Sequence, residues 1–225
     1  MRAKGKSLEE RLERARLVVT NASLDSVIKE AVARYNYDEA RLQQGVDLYK
    51  EAVRLYQEQK QRQAEKVEAT RSLEQKWRAA RQQYNEHRQL ARLCFQGDAS
   101  IDHMLGLSGR HRRTMAGWLE EARQFYTNGL GEPAVIEAMA RYGVSRQDLE
   151  GGLSLAGEVE RAAALQEKAK GLARKATQQR NAAFREMERW TATLVRIARL
   201  ALGKESQHLE KLGIVVPSTV KGLTG

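Results

Sequence analysis

The sequence predicts an all-α protein made of two copies of one helical plan. Three observations carry that expectation. The 225 residues hold only two prolines, 6% aromatics and 30% charged residues, and the bulk is Ala, Leu, Glu, Gln, Arg and Lys, all good helix formers. A pattern of residues returns at a fixed spacing of 107. Each copy also contains a stretch of nearly sixty residues that lacks proline and spaces its apolar positions by threes and fours.

The repeat is read directly. EAVARY (Glu30 to Tyr35) returns as EAMARY (Glu137 to Tyr142), and Ala91-Arg92-Leu93 returns as Ala198-Arg199-Leu200. Leu105-Gly106 returns as Leu212-Gly213, and LERAR…TN from Leu12 returns as LEEAR…TN from Leu119. Residues 12–107 set against 119–214 give 25 identities in 96 pairs, with no gap. The expected organisation is a first helical repeat over 1–107, a second over 108–214 and a C-terminal tail over 215–225.

Each copy opens with a short helix, at about Leu8–Val19 and Met115–Tyr126. The Thr-Asn pair that follows reads as its stop, because Asn tolerates the left-handed conformation. A second short helix is expected over Ser26–Tyr35 and Pro133–Tyr142, with Pro133 in the first turn, where its missing N–H costs nothing. A break follows at Asn36-Tyr37 and Gly143-Val144, with Asp38 and Ser145 as N-caps for the next helix.

That next segment runs from Asp38 to Gln96 and from Ser145 to Leu202. It is either one helix or a hairpin turning near residues 58–72. Those fifteen residues, EQKQRQAEKVEATRS, contain no Gly, Asn, Asp or Pro, so continuity is favoured. A 58-residue helix would run ~87 Å. Leu42, Val46, Tyr49, Val53 and Tyr56, and later Leu73, Trp77, Ala80, Tyr84, His87, Ala91 and Cys94, have coiled-coil-like spacing. Continuity implies two long antiparallel helices forming a stalk. The short helices 8–35 and residues 205–214 would pack at one end, with 115–142 and 99–107 at the other. The alternative is an up-and-down helical bundle of hairpins.

Composition limits the function classes. No segment is apolar enough to span a membrane, and the basic N-terminus lacks the apolar core of a secretory signal. Cys94 is the single cysteine, which excludes an intrachain disulfide and fits a reducing compartment; the expected setting is cytoplasmic. No Ser-His-Asp order or glycine-rich phosphate loop stands out, and neither an enzyme nor a cofactor is expected. Glu205-x-x-His208 matches one element of a four-helix metal site, but its repeat position, Asp98 to Ile101, has no histidine. His87 on the apolar seam reads as a hydrogen-bonded core histidine, and Cys94 as a small core residue. Gly151-Gly152 reads as a place where helices approach closely. Arg34-Tyr35 and Arg141-Tyr142 close the second short helix, the cation suiting the helix dipole and the aromatic ring packing inward.

Charge is the most informative functional feature. The chain carries +10, and residues 60–92 together with 161–199 carry +12 (nine basic residues against four acids, and ten against three). Arg110-His111-Arg112-Arg113 adds a basic cluster between the copies. The first functional expectation is a non-enzymatic helical scaffold or protein-interaction module with a protein partner. The second is sequence-nonspecific nucleic-acid binding along the basic helices, through Arg78, Arg81, Arg110, Arg112, Arg113, Arg185 and Arg189. An enzyme or metal-binding bundle ranks third, and the exposed seam residues also allow self-association into a homo-oligomer.

Overall fold

The computed structural model describes residues 7–109, 112, 114–203 and 206–214. Among them are eight α-helices and no strand: α1 (Leu8–Leu24), α2 (Ser26–Ala33), α3 (Glu39–Cys94), α4 (Ala99–Leu105), α5 (Met115–Gly131), α6 (Pro133–Ala140), α7 (Arg146–Leu202) and α8 (Ser206–Lys211). α3 and α7 are unbroken helices of 56 and 57 residues, so the hairpin alternative does not hold. With no turn residue between 58 and 72, the backbone has no reason to leave the helix. Both ends of α5 (Met115, Gly131) lie 107 residues beyond those of α1 (Leu8, Leu24), and both ends of α6 (Pro133, Ala140) lie 107 beyond those of α2 (Ser26, Ala33).

Local chemistry sets the helix ends. Ser7 and Glu10 form a reciprocal capping box on α1. Asp25 accepts from the Val27 and Ile28 amides at α2, Asp98 from Ser100 and Ile101 at α4, and Thr114 from Gly117 at α5. The expected caps Asp38 and Ser145 accept from the amides of Arg41 and Asp148. The expected break after α2 and α6 is a left-handed stop. Asn36 (φ 64°) and Gly143 (φ 87°) hold the left-handed position, and the next amides, of Tyr37 and Val144, donate to the Val32 and Met139 carbonyls. Thr20-Asn21 and Thr127-Asn128 are not stops, however, because α1 and α5 run on to Leu24 and Gly131.

The chain forms two compact units: unit 1 is Met1–Arg62 with Ala173–Gly225, and unit 2 is Gln63–Leu172. In unit 1, α1, α2 and the start of α3 pack on the end of α7 and α8. Val18, Ile28, Val32 and Leu42 share one core with Leu194, Ala198, Leu202 and Leu212. Ala15, Ala52, Tyr56, Phe184 and Met187 form a second. In unit 2, the later part of α3 and the start of α7 enclose α4, α5 and α6. Tyr84, Leu105, Leu107, Trp118, Phe125, Tyr126, Met139 and Leu149 form the core. The long helices are antiparallel within each unit. Going up α3, Gly45 meets Trp190 and Gln59 meets Arg180 in unit 1, while Thr70 meets Gln166 and Lys76 meets Glu158 in unit 2.

Close approach depends on two glycines 107 residues apart. A Cβ on Gly45 would overlap the Trp190 ring, and one on Gly152 would overlap the Tyr126 ring. The close approach expected at Gly151-Gly152 therefore belongs to Gly152 alone, because Gly151 faces open space.

A candidate interaction surface repeated in both units

In each unit the EA-ARY helix end touches the residue that follows ARL. In unit 1 the Arg34 guanidinium, at the end of α2, donates to the Ala201 carbonyl at the end of α7 (3.4 Å). In unit 2 the Cys94 thiol, at the end of α3, lies 3.7 Å from the Ala138 carbonyl of α6 and within the field of Arg141. Burial pushes that thiol up, and Arg141 opposes the shift. Each corner thus takes its α2-type helix from one copy and its long-helix end from the other. In unit 1 it includes an open groove of about 440 Å³ lined by Val27, Glu30, Ala31, Arg34, Ala201 and Leu202.

Core packing accounts for only part of the shared identity. Ala31, Ala91 and Ala198 are buried. Glu30, Arg34, Glu137, Arg141, Arg92 and Arg199 are exposed. Tyr35 is 45% exposed and Tyr142 66%, while Leu93 is 72% and Leu200 67%. The expectation that Tyr35 and Tyr142 pack inward is therefore corrected: the left-handed turn at Asn36 and Gly143 directs the following residues, Tyr37 and Val144, toward the core instead. Two tyrosines and two leucines standing in solvent at matched positions are not explained by the fold.

A second repeated contact is structural. The Asn21 side-chain amide donates to the Lys211 carbonyl in unit 1, and the Asn128 amide to the Met104 carbonyl in unit 2 (2.7 Å). Those carbonyls lie in the last turns of α8 and α4, where helix carbonyls lack internal partners. The glycine-capped stops that follow are alike as well: Gly106 and Gly213 have positive φ, and the Leu107 and Ile214 amides donate to the Asp102 and Leu209 carbonyls.

The expected basic sites separate. Arg78 and Arg81 stand exposed on α3 of unit 2, and Arg81 lies 6.0 Å from the Trp77 ring centre. Glu74, Gln82 and Asn85 complete an open groove of about 490 Å³ around them. Arg185 and Arg189 are exposed on α7 in unit 1. Arg112 is paired with Glu120. Arg110 and Arg113 lie outside the described residues. Other cations of the basic stretches are also neutralised nearby, Lys76 by Glu158 and Lys170 by Glu167.

The remaining candidates resolve into packing and capping. His87 is buried with Nδ1 3.2 Å from the Tyr126 hydroxyl, and burial lowers its pKa. Arg88 beside it is also buried and donates to the Leu107 carbonyl (2.6 Å), which Arg92 reaches as well (2.8 Å). Sequence reasoning missed Arg88 because its repeat counterpart is Val195 and a charged residue is seldom placed in a core. His208 sits 3.4 Å from the Asp25 carboxylate, which Lys211 also holds at 2.6 Å; Glu205 and His111 lie outside the described residues. Among the described residues no three His, Cys, Asp or Glu side chains are grouped as metal ligands, and no helix is long and apolar enough to cross a membrane. No protein-family model, curated protein or solved structure matches the chain.

Proposed function

We propose that the protein is a non-enzymatic helical scaffold or interaction module, formed by tandem duplication, with one docking corner in each unit. One observation carries this reading: Glu30, Arg34, Tyr35 and Leu200 in unit 1 have exposed, identical counterparts Glu137, Arg141, Tyr142 and Leu93 in unit 2. Burial cannot account for side chains that face water, and aromatic residues with arginine are enriched where proteins bind one another. The duplication is supported by the 25 identities, the matched bounds of α1 with α5 and α2 with α6, and the matched Asn21 and Asn128 contacts. The paired α3 and α7 segments serve as a coiled-coil-like frame, and a cytoplasmic setting accords with the single half-buried cysteine.

The test places a photo-crosslinking amino acid at position 35 or 142 in cells, with position 63 on α3 as the control. The reading expects discrete protein adducts from 35 and 142 and none from 63. Adducts from none of the three would refute it.

A second reading is sequence-nonspecific nucleic-acid binding. It is favoured by Arg78 and Arg81 standing exposed beside Trp77, where cations for phosphate adjoin a ring for base stacking. It expects affinity for duplex DNA or single-stranded RNA that falls steeply with salt and with charge reversal at Arg78, Arg81, Arg185 and Arg189. No binding at low salt would dismiss it.

A further inference from the structure

The charges on the two corners stand in a self-complementary order. Glu30 precedes Arg34 by four residues at the end of α2, and Glu137 precedes Arg141 by four at the end of α6. That spacing puts each acid and base on one helical face, a turn apart. All four side chains are exposed, and among the described residues no ion pair joins any of them to another side chain. Arg34 uses one N–H on the Ala201 carbonyl, leaving most of its guanidinium donors to solvent. An exposed tyrosine, Tyr35 or Tyr142, closes each of these helices, and an exposed leucine, Leu200 or Leu93, precedes the long-helix residue that each helix touches.

A partner carrying only negative charge would repel Glu30 and Glu137. One carrying only positive charge would repel Arg34 and Arg141. The surface therefore selects an occupant with the same two signs in reversed order. A second corner turned about a twofold axis supplies that order, because each Glu then faces an Arg and each Arg a Glu. We infer that the occupant of each docking corner is the corner of a second copy of this chain. Glu30 or Glu137 pairs there with Arg34 or Arg141 of the neighbouring chain, and the exposed Tyr and Leu side chains are covered. The inference rests on the reading of the corners as docking surfaces and names what docks. The net charge of +10 opposes the contact, so a single corner binds weakly.

Two corners per chain give the inference a stoichiometric signature. A chain with both corners associates, a chain with one associates more weakly and no further than a dimer, and a chain with neither stays monomeric. The experiment is sedimentation velocity on the full chain over a concentration series. It compares wild type, Arg34→Glu, Arg141→Glu, the double Arg34→Glu/Arg141→Glu and the double Glu30→Arg/Glu137→Arg. All substituted side chains are exposed, and unchanged helical circular dichroism verifies the fold. The expected result is association for wild type, weaker association with a dimer ceiling for each single variant, and monomer for each double variant alone. An equimolar mixture of the two double variants restores association, because one carries only acids at these positions and the other only bases.

A wild-type chain that is monomeric throughout overturns the inference. So does association that is indifferent to the charge reversals, or a mixture that stays monomeric. The outcome separates from that of the underlying reading. A monomeric chain whose positions 35 and 142 still crosslink to a different protein rejects the self-contact and leaves the docking corners in place. Absence of both association and crosslinks rejects both.

Discussion

Gly152→Ala and Gly151→Ala should shift stability in opposite directions although the residues are neighbours on α7. Replacing a helical glycine by alanine normally stabilises by about 0.4–1 kcal/mol, because the unfolded chain has less freedom to lose. Gly151 is exposed, with nothing near an added Cβ, so it should show that full gain. At Gly152 the new methyl would overlap the Tyr126 ring. That ring is 1% exposed and is held among Tyr84, Phe125 and His87. Overpacking of this kind costs about 1–3 kcal/mol. Displacing the hydroxyl from His87 Nδ1 forfeits about 1 kcal/mol more. Net of the helical gain, Gly152→Ala should destabilise by about 1–3 kcal/mol. At about 2–4 °C per kcal/mol for a chain of this size, the melting temperature falls by about 2–12 °C, while that of Gly151→Ala rises by about 1–4 °C. Thermal melts followed by far-ultraviolet circular dichroism give the sign, and near-ultraviolet spectra report the aromatic cluster. A Gly152→Ala protein as stable as wild type would refute the packing argument for that glycine.

Three further outcomes follow from other contacts. Asn128→Ala should cost about 0.5–1.5 kcal/mol by removing the amide donor to the Met104 carbonyl, and Asn21→Ala should act alike on α8; hydrogen exchange should quicken in α4 and α8 respectively. His87 has its pKa lowered by burial, so below about pH 6.5 the unfolded state binds the extra proton and stability falls as pH drops; His87→Leu should flatten that dependence in urea titrations between pH 7 and 5. Asp25 is held at about 2 rather than 3.8, first by Lys211 and then by the α2 amides. Its stabilisation should be complete above about pH 4 and disappear as pH falls toward 2, so the stability gap between wild type and Asp25→Asn should close over that window.

Features set by local sequence were readable before the structure. The caps Asp38 and Ser145, the breaks at Asn36-Tyr37 and Gly143-Val144, and the unbroken α3 and α7 depend only on neighbouring residues. The later seam of α3, from Leu73 to Ala91, was legible because it follows one apolar stripe. The earlier seam was less so. Gly45, Ala52 and Leu55 are buried, while the expected Val46, Tyr49 and Val53 are only half-buried. There α3 packs against α1 as well as α7, so the buried face is wider than a two-helix seam. Asn21 and Asn128 were misread for a different reason. Asparagine suits both a left-handed stop and a side-chain bond to a distant carbonyl, and a bond spanning 190 residues leaves no local trace. The corner residues were visible as sequence identity, but their exposure was not, because the pattern does not say which side of a short helix end faces water.

The make-up of unit 1 from both ends of the chain also sets a timetable for synthesis. Unit 2 occupies one unbroken stretch, Gln63–Leu172, and the ribosome completes that stretch before it makes Ala173–Gly225 of unit 1. Unit 1 must wait for both ends of the chain. Asn21 precedes its partner Lys211 by 190 residues, and at about 5–20 residues per second that separation lasts about 10–40 s. For most of that time Val18, Ile28 and Val32 lack Leu194, Leu202 and Leu212, which cover them in the finished fold. Slow codons over the second repeat would prolong the exposure, and premature termination after unit 2 would make it permanent.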